Sequence, residues 1–419
     1  MSAWVSRARE LRGRYPGQFW LLFWGILLVA SASSMFWPFL LIFVRQQLDL
    51  PMTTVALLLT VNAAAGLVGL AIAGPAADRF GRKPVMLVSL VGQGGAMVGM
   101  SLAASLPAWI AAMAFLGAFN PLYRVGADSM VADLLPAEER AGGYALLRVI
   151  SNLGISIGPL IGGFVTSVSY DIAFYASASA SAIYAGLLFF RARETMPPRT
   201  TARAAAPGSY SPVLRDTPFV QFIGVYALSG MAYVILMALL PVYAKENFGV
   251  VERQYGFILA TNAAMVVLGQ FAVTRWTSRR PALPVLALGS LFYAAGVGSV
   301  ALGAGFTAFW LSMVILTVGE LIMVPTSTTL TANLAPPEMR GRYMGLYSLT
   351  WTISVGLGPV LGGLLNDRLA PVAMWYGACL LALASALMFV VLGRSSRLRA
   401  AGAVAADWAR SPTEPRPIG

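Results

Sequence analysis

Apolar residues run along this chain in long blocks separated by short charged or turn-forming clusters. The blocks cover Phe19–Phe43, Thr53–Ala77, Pro84–Ser105, Ala108–Asp133, Ala141–Ser167 and Ile172–Phe190. After a polar stretch from Arg191 to Asp216 come Thr217–Tyr243, Tyr255–Thr274, Leu283–Gly303, Ala308–Thr331, Tyr343–Leu365 and Val372–Gly393. A helix rises about 1.5 Å per residue, so about 20 residues cross a hydrocarbon layer about 30 Å thick. The pattern predicts an all-α membrane protein with twelve transmembrane helices in two six-helix bundles, residues 19–190 and 217–393. A segment 1–18, a linker 191–216 and a tail 394–419 complete it. The first apolar run is too long for a secretory leader and lacks an evident cleavage site, so the first helix is expected to be retained.

Twelve spans take roughly 240 residues, which leaves no room in 419 for a large extramembrane domain. The composition agrees, with 58% hydrophobic and 11% charged residues. The chain has no histidine and a single cysteine, Cys379. Imidazole bases, the usual zinc and haem ligands, disulfides and CxxC chemistry are therefore excluded, and any proton chemistry falls to carboxylates. No phosphate-binding glycine loop followed by Lys and Ser/Thr occurs. No enzyme, cofactor or metal site is expected.

The net charge of +12 would fit nucleic acid if the charges lay on one exposed face. They lie instead in alternate connections. Twenty-three of the 29 Lys and Arg residues fall in one set, from Arg7, Arg9, Arg12 and Arg14 through Arg199 and Arg203 to Arg399, Arg410 and Arg416. The opposite set holds Arg45, Lys245, Arg253 and Arg368, and Arg124 and Arg148 lie within spans. Basic residues favour the cytoplasmic side. The asymmetry predicts both termini in the cytoplasm of a cell whose inner (plasma) membrane holds the chain, and no nucleic-acid partner.

A shift of 200 residues aligns the chain with itself. Leu134, Pro136, Glu138 and Arg140 recur as Leu334, Pro336, Glu338 and Arg340; GPLIGG from Gly158 recurs as GPVLGG from Gly358; and Asn62 recurs as Asn262. Six spans separate the copies, so they share one orientation, as in carriers built from parallel repeats with a binding site near the midplane. Duplication retained for packing alone remains the alternative.

Between the second and third spans stands GPAADRFGRK, from Gly74 to Lys83. With Gly74, Asp78, Arg79, Gly81, Arg82 and Lys83, and Ala76 in place of the usual leucine, it resembles the signature loop of the major facilitator superfamily. That resemblance implies a cytoplasmic gate in which Asp78 caps the start of helix 11 near Gly341 and Arg82 pairs with Asp133. An acid at a helix start gains from the unpaired N–H groups there. Simple solvation of a loop that sets topology is the other reading. The second-half copy, VTRWTSRRP, aligns with Arg279 and Arg280 at Arg82 and Lys83, and with Arg275 where Asp78 stands.

The fifth span carries Gly154, Gly158, Pro159 and Gly162, and the eleventh carries Gly358, Pro359 and Gly362. Small residues four apart let helix backbones approach. In this superfamily a Gly-Pro-rich fifth helix is associated with antiporters, which points towards export. Glu320 lies twelve positions into its span, roughly 18 Å from the outer end. An ionised carboxylate at that depth costs about 3 kcal/mol, so it is expected to be paired or protonated. GELIMVP, from Gly319, resembles the helix-10 segment of proton-coupled multidrug exporters, which implies a proton-coupling Glu320. The repeat sets Asn120 at the equivalent point.

Arg124 and Asp128 are four apart and share a helix face. With Arg148 and Asp133 they form a candidate cluster that either relays protons or knits helices 4 and 5. The superfamily's RxxxG signature is not met at Arg124. Helices 1, 7 and 11 face the central cavity in this family, which makes Trp24, Phe36, Trp37, Tyr226, Tyr233, Tyr347 and Trp351 candidate lining residues, with Asn62, Asn120 and Asn262 beside them. The expected function is proton-coupled export of amphipathic small molecules by a monomer in the lipid bilayer. A sugar or metabolite symporter or uniporter, a lipid flippase and a transport-dead receptor or scaffold are the rivals.

Overall fold

The computed structural model describes residues 13–196, 210–395, 397–398 and 401. Among the described residues twelve helices are long and apolar enough to cross a membrane. They are α1 Gly17–Leu48, α2 Met52–Phe80, α3 Arg82–Leu102, α4 Leu106–Leu134, α5 Ala137–Thr166, α6 Tyr170–Arg191, α7 Thr217–Phe248, α8 Glu252–Thr277, α9 Ala282–Leu302, α10 Gly305–Leu334, α11 Arg340–Arg368 and α12 Ala373–Leu392. Arg7, Arg9, Arg12, Arg199, Arg203, Arg399, Arg410 and Arg416, with much of the expected end segments and linker, lie outside the described residues.

Each apolar block coincides with one helix, but several helices continue past it. Hydrophobicity marks where the bilayer ends, whereas a helix ends where its backbone is interrupted. The signature loop illustrates this. Its sequence reads as a ten-residue turn, yet Gly74 to Phe80 complete α2 and Arg82 opens α3, so Gly81 alone makes the turn, at φ +101°. Without a Cβ, glycine reaches that backbone region at little cost. In α1 the interruption is milder. Pro38 lacks an N–H, and Trp37–Phe39 tighten into a 3₁₀ turn before the helix resumes.

The chain divides into two compact units. Unit 1 is Met1–Leu50, Leu58–Ala204 and Glu252–Ala260, and unit 2 is Pro51–Leu57, Ala205–Val251 and Thr261–Gly419. Compared with a division at the linker, two short segments are exchanged. In unit 2 the start of α2 is held by Asp367, whose carboxylate accepts the N–H groups of Met52 at 3.1 Å and Thr53 at 2.8 Å and the Thr53 hydroxyl at 2.7 Å. In unit 1 the start of α8 is held by Tyr170, whose hydroxyl donates to Glu252 at 2.5 Å.

Helix pairing repeats with the sequence. Unit 1 packs α1 along α5 and α3 along α4 and α6; unit 2 packs α7 along α11 and α9 along α10 and α12. The α1–α5 contact is too close to admit a side chain at two of its glycines. A Cβ on Gly158 would lie 1.9 Å from Ser34 Oγ and one on Gly162 would lie 1.9 Å from the Met35 carbonyl oxygen. The twin contact is looser, since a Cβ on Gly358 would stand 3.0 Å from the Met231 carbonyl oxygen. Pro159 and Pro359 sit inside their helices, as proline does in membrane helices whose neighbours satisfy the freed carbonyls.

Candidate functional site

The repeat places one asparagine at the same level of each half, and the two make different bonds. In unit 1, Asn62 Nδ2 donates to the Met113 carbonyl at 3.0 Å, and Asn120 is exposed on α4. In unit 2, Asn262 Nδ2 donates to Glu320 Oε2 at 2.8 Å and to Thr317 Oγ1 at 2.9 Å. The Thr317 hydroxyl donates in turn to the Met313 carbonyl at 2.7 Å, which leaves its lone pairs for Asn262. Glu320 itself is half-buried, and Tyr233 lies within hydrogen-bonding reach of it.

Aromatic rings of unit 2 surround this group. Tyr233 packs on Tyr293 with centroids 5.5 Å apart and on Trp351 at 6.1 Å. Tyr226 and Tyr347 stack at 5.2 Å and share a hydrogen bond of 3.2 Å, and Tyr347 also meets Ser327 and Thr328. Trp351 keeps 57% of its surface exposed and Trp24 keeps 60%, whereas Phe36 is buried. The structure thus joins Glu320, Asn262, Tyr233 and Trp351 into one polar and aromatic group, with Tyr226 in the neighbouring hydroxyl cluster.

The α2–α3 turn forms a second charged group, in unit 1. Arg82 Nε donates to Asp133 Oδ2 at 2.9 Å, while its Nη1 meets Asp78 Oδ1 at 3.3 Å and the Ala77 carbonyl at 3.0 Å. The Arg82 and Asp133 side chains are only 12% and 20% exposed. Within unit 1 the partner of Asp78 is Arg82. Its carboxylate lies one helical turn before the guanidinium, the spacing at which ion pairs form within a helix. Arg79 lies over the Phe80 ring at 5.3 Å, and Lys83 Nζ donates to the Phe189 carbonyl at 2.8 Å. A Cβ on Gly74 would meet no other part of the described structure within 4 Å beyond its own helix backbone and chain neighbours.

This turn also binds an acid that pattern reading missed. Glu194 accepts the backbone N–H groups of Arg82 and Lys83, both at 3.0 Å, and those of Thr195 at 2.8 Å and Met196 at 2.9 Å. Burial would raise its carboxyl, but the N–H groups of Met196, Arg82, Lys83 and Thr195 outweigh that and hold it below its ordinary range. The available signal was its place, three residues past the end of α6.

The second-half alignment needs correction. α3 and α9 begin at Arg82 and Ala282, so the 200-residue register runs unbroken through the turn. Asp78, Asp133 and Glu194 therefore correspond to Ser278, Asn333 and Arg394, and Arg275 does not stand at the Asp78 position. A small cavity of about 40 Å³, lined by Ser278, Arg280, Ala282 and Asn333 among others, lies at this end of unit 2.

In the α4–α5 cluster Arg124 acts on Asp128 electrostatically without a close ion pair. Arg124, Asp128 and Arg148 are exposed, and among the described residues no salt bridge joins Arg124 to Asp128. The link that does form is from the Tyr144 hydroxyl to the Asp128 backbone carbonyl, at 2.8 Å. In unit 2, buried Asp216 precedes α7 and was also missed. It accepts the Tyr343 hydroxyl at 2.5 Å and both terminal nitrogens of Arg397 at 2.8 Å.

The model of the family described as Major Facilitator Superfamily matches residues 22–359 and again 222–416. A Na(+), Li(+), K(+)/H(+) antiporter of Planococcus maritimus is 26% identical, the match covering 88% of this chain and 90% of that protein. The multidrug resistance protein MdtH of Yersinia enterocolitica is 28% identical, with 87% and 89% covered. Among solved structures, a mutant form of the nucleoside transporter NupG superposes with a TM-score of 0.76 at 12% identity, over 89% of this chain and 99% of that one. A bacterial homologue of the human lysosomal transporter Spinster does so at 0.68 and 17% identity, over 94% and 96%.

Proposed function

Because the chain belongs to the Major Facilitator Superfamily, a family of transporters and not of enzymes, we propose that it exports amphipathic small molecules in exchange for protons. It is a multi-pass membrane protein. In this reading it lies in the inner (plasma) membrane with both termini in the cytoplasm, acts as a single chain and needs no cofactor. Access alternates between the two sides, and the Arg82–Asp133 turn secures the cytoplasmic one.

The observation that carries the proposal is the Asn262–Glu320 bond deep within α10. A lone carboxylate at that depth is costly when ionised and unpaired. An amide that can donate to it, a hydroxyl beside it and aromatic faces around it suit a group that is protonated in one step of a cycle and ionised in another. An aromatic surface with one carboxylate also suits an amphipathic cargo. Each proton moved inward across 100 mV contributes about 2.3 kcal/mol. The relationship to the Yersinia multidrug protein supports this cargo. A second reading, exchange of alkali cations for protons, is favoured by the relationship to the Planococcus antiporter.

Proteoliposomes with an imposed pH gradient test both, comparing wild type with Glu320→Gln for lipophilic cations, neutral drugs, sugars and alkali cations. Proton-driven movement of lipophilic compounds, lost in the variant, is the expected result. Unchanged pH-driven transport by Glu320→Gln removes the carboxylate from the mechanism. Exchange restricted to sodium, lithium or potassium selects the second reading, and sugar uptake without drug efflux selects a symporter.

A further inference from the structure

The segment that leaves α6 touches both members of the Arg82–Asp133 pair. Glu194 Oε1 accepts the Arg82 N–H and Oε2 accepts the Lys83 N–H, closing two of the N–H groups that every helix start leaves unpaired. Glu194 Oε1 also accepts the N–H groups of Thr195 and Met196, so the chain wraps around its own carboxylate. Thr195 Oγ1 then donates to Asp133 Oδ2 at 3.2 Å, the same oxygen that receives Arg82 Nε.

Gly81 is the other half of this fit. A Cβ at that position would lie 2.4 Å from Glu194 Oε2, on a backbone whose φ of +101° already disfavours side chains. The glycine leaves the space into which the carboxylate comes. The second half has no such arrangement, since Arg394 stands in the Glu194 register and Pro281 in that of Gly81.

We propose that Glu194 is a positioning residue of the cytoplasmic gate. It fixes the start of α3, and with it the direction from which Arg82 reaches Asp133, so the chain leaving α6 and the gate are released together. Glu194 touches no cargo and acts through Arg82. The proposal rests on the alternating-access reading above, and it adds a specific link between the connection after α6 and gate closure. An ionised carboxylate is required, which its held-down protonation supports.

The test uses the full-length protein with Cys379→Ser and a reporter, Ala77→Cys. Position 77 is buried, and its carbonyl receives Arg82 Nη1, so maleimide labels it only when the turn opens. Glu194→Ala and Gly81→Ala are expected to speed labelling at least 5-fold, to the rate of Arg82→Gln. Glu194→Asp restores most of the protection. Glu194→Gln, which keeps an acceptor at Oε1 and loses the one facing Lys83, falls between, and it supplies the readout if Glu194→Ala fails to fold. Because the residue acts through Arg82, adding Glu194→Ala to Arg82→Gln produces no further increase. Wild-type labelling in both Glu194→Ala and Glu194→Gln, or effects that multiply with Arg82→Gln, overturns the proposal. Wild-type labelling in Arg82→Gln itself overturns the gate reading together with it, so the two failures are distinguishable.

Discussion

Asn262 donates to Glu320 at 2.8 Å, whereas its counterpart Asn62 donates to a backbone carbonyl. The difference follows from one position, because the residue matching Glu320 in the first half is Asn120. Two copies of one scaffold thus hold the same amide at the same level, and only one gives it a carboxylate. Asn262→Ala is expected to remove a charge-assisted hydrogen bond worth about 1.5–3 kcal/mol. Detergent-solubilised protein should then unfold several degrees lower, and proton-driven transport should fall at least tenfold. Asn62→Ala should leave the pH dependence of transport unchanged.

Glu194 yields a prediction about acidity. Its folded carboxyl sits below the ordinary value of 4.5. Its contribution to stability is therefore complete above about pH 4.5 and is lost as the pH falls through the lower folded value. Between pH 5 and 8 this anchor does not titrate. Hydrogen exchange at the Arg82 and Lys83 amides should keep constant protection across that window once the intrinsic exchange rate is divided out. Any pH dependence of transport in the window should survive in Glu194→Gln.

Packing of α1 on α5 is open to a direct challenge. A Cβ on Gly158 would meet Ser34 Oγ at 1.9 Å and the Ser31 carbonyl at 2.5 Å, so Gly158→Leu must push the helices apart. Overpacking typically costs about 1–3 kcal/mol, and a contact against backbone belongs at or above the top of that range. Gly358→Leu meets its nearest atom at 3.0 Å and should cost less. Thermal unfolding of the two variants checks the order.

The Asp216 contacts predict a requirement for the end of the chain. Truncation after Ser395 removes Arg397 and leaves the buried Asp216 carboxylate with Tyr343 as its remaining side-chain partner. Leaving a buried charge without its counter-ion is more damaging than never having the pair. Breaking a fully buried pair costs roughly 3–5 kcal/mol, and the truncated protein should lose less than that because the Arg397 side chain is half exposed. Asp216→Asn should recover part of the loss in the truncated chain while destabilising the full-length one.

Much of this was legible in the sequence. Twelve helices follow from block length alone, and the 200-residue register set the Gly-Pro stretches of α5 and α11 at equivalent positions as packing surfaces, without naming α1 and α7 as the helices they meet. Arg82 and Asp133 met as the resemblance implied. Asn262 and Glu320 were each singled out, but not as partners, because periodicity within one helix does not say which faces of two helices meet. Glu194, Asp216 and Asp367 left fainter traces. Each is an acid at a helix end with a partner more than 100 residues away in sequence, a distance over which local pattern carries no information. The second-half turn was misread because a pair of arginines resembles Arg-Lys, whereas helix starts keep a truer register than charges do.

The exchanged segments bear on how such a chain is made. Since the first turns of α2 count with unit 2 and those of α8 with unit 1, neither product of a cut in the connection after α6 contains everything its own unit needs. Synthesised separately, the two pieces should be cleared by membrane-protein quality control, and co-production should rescue both. During translation the first half must wait, its second helix incompletely anchored, for residues that the ribosome adds some three hundred positions later.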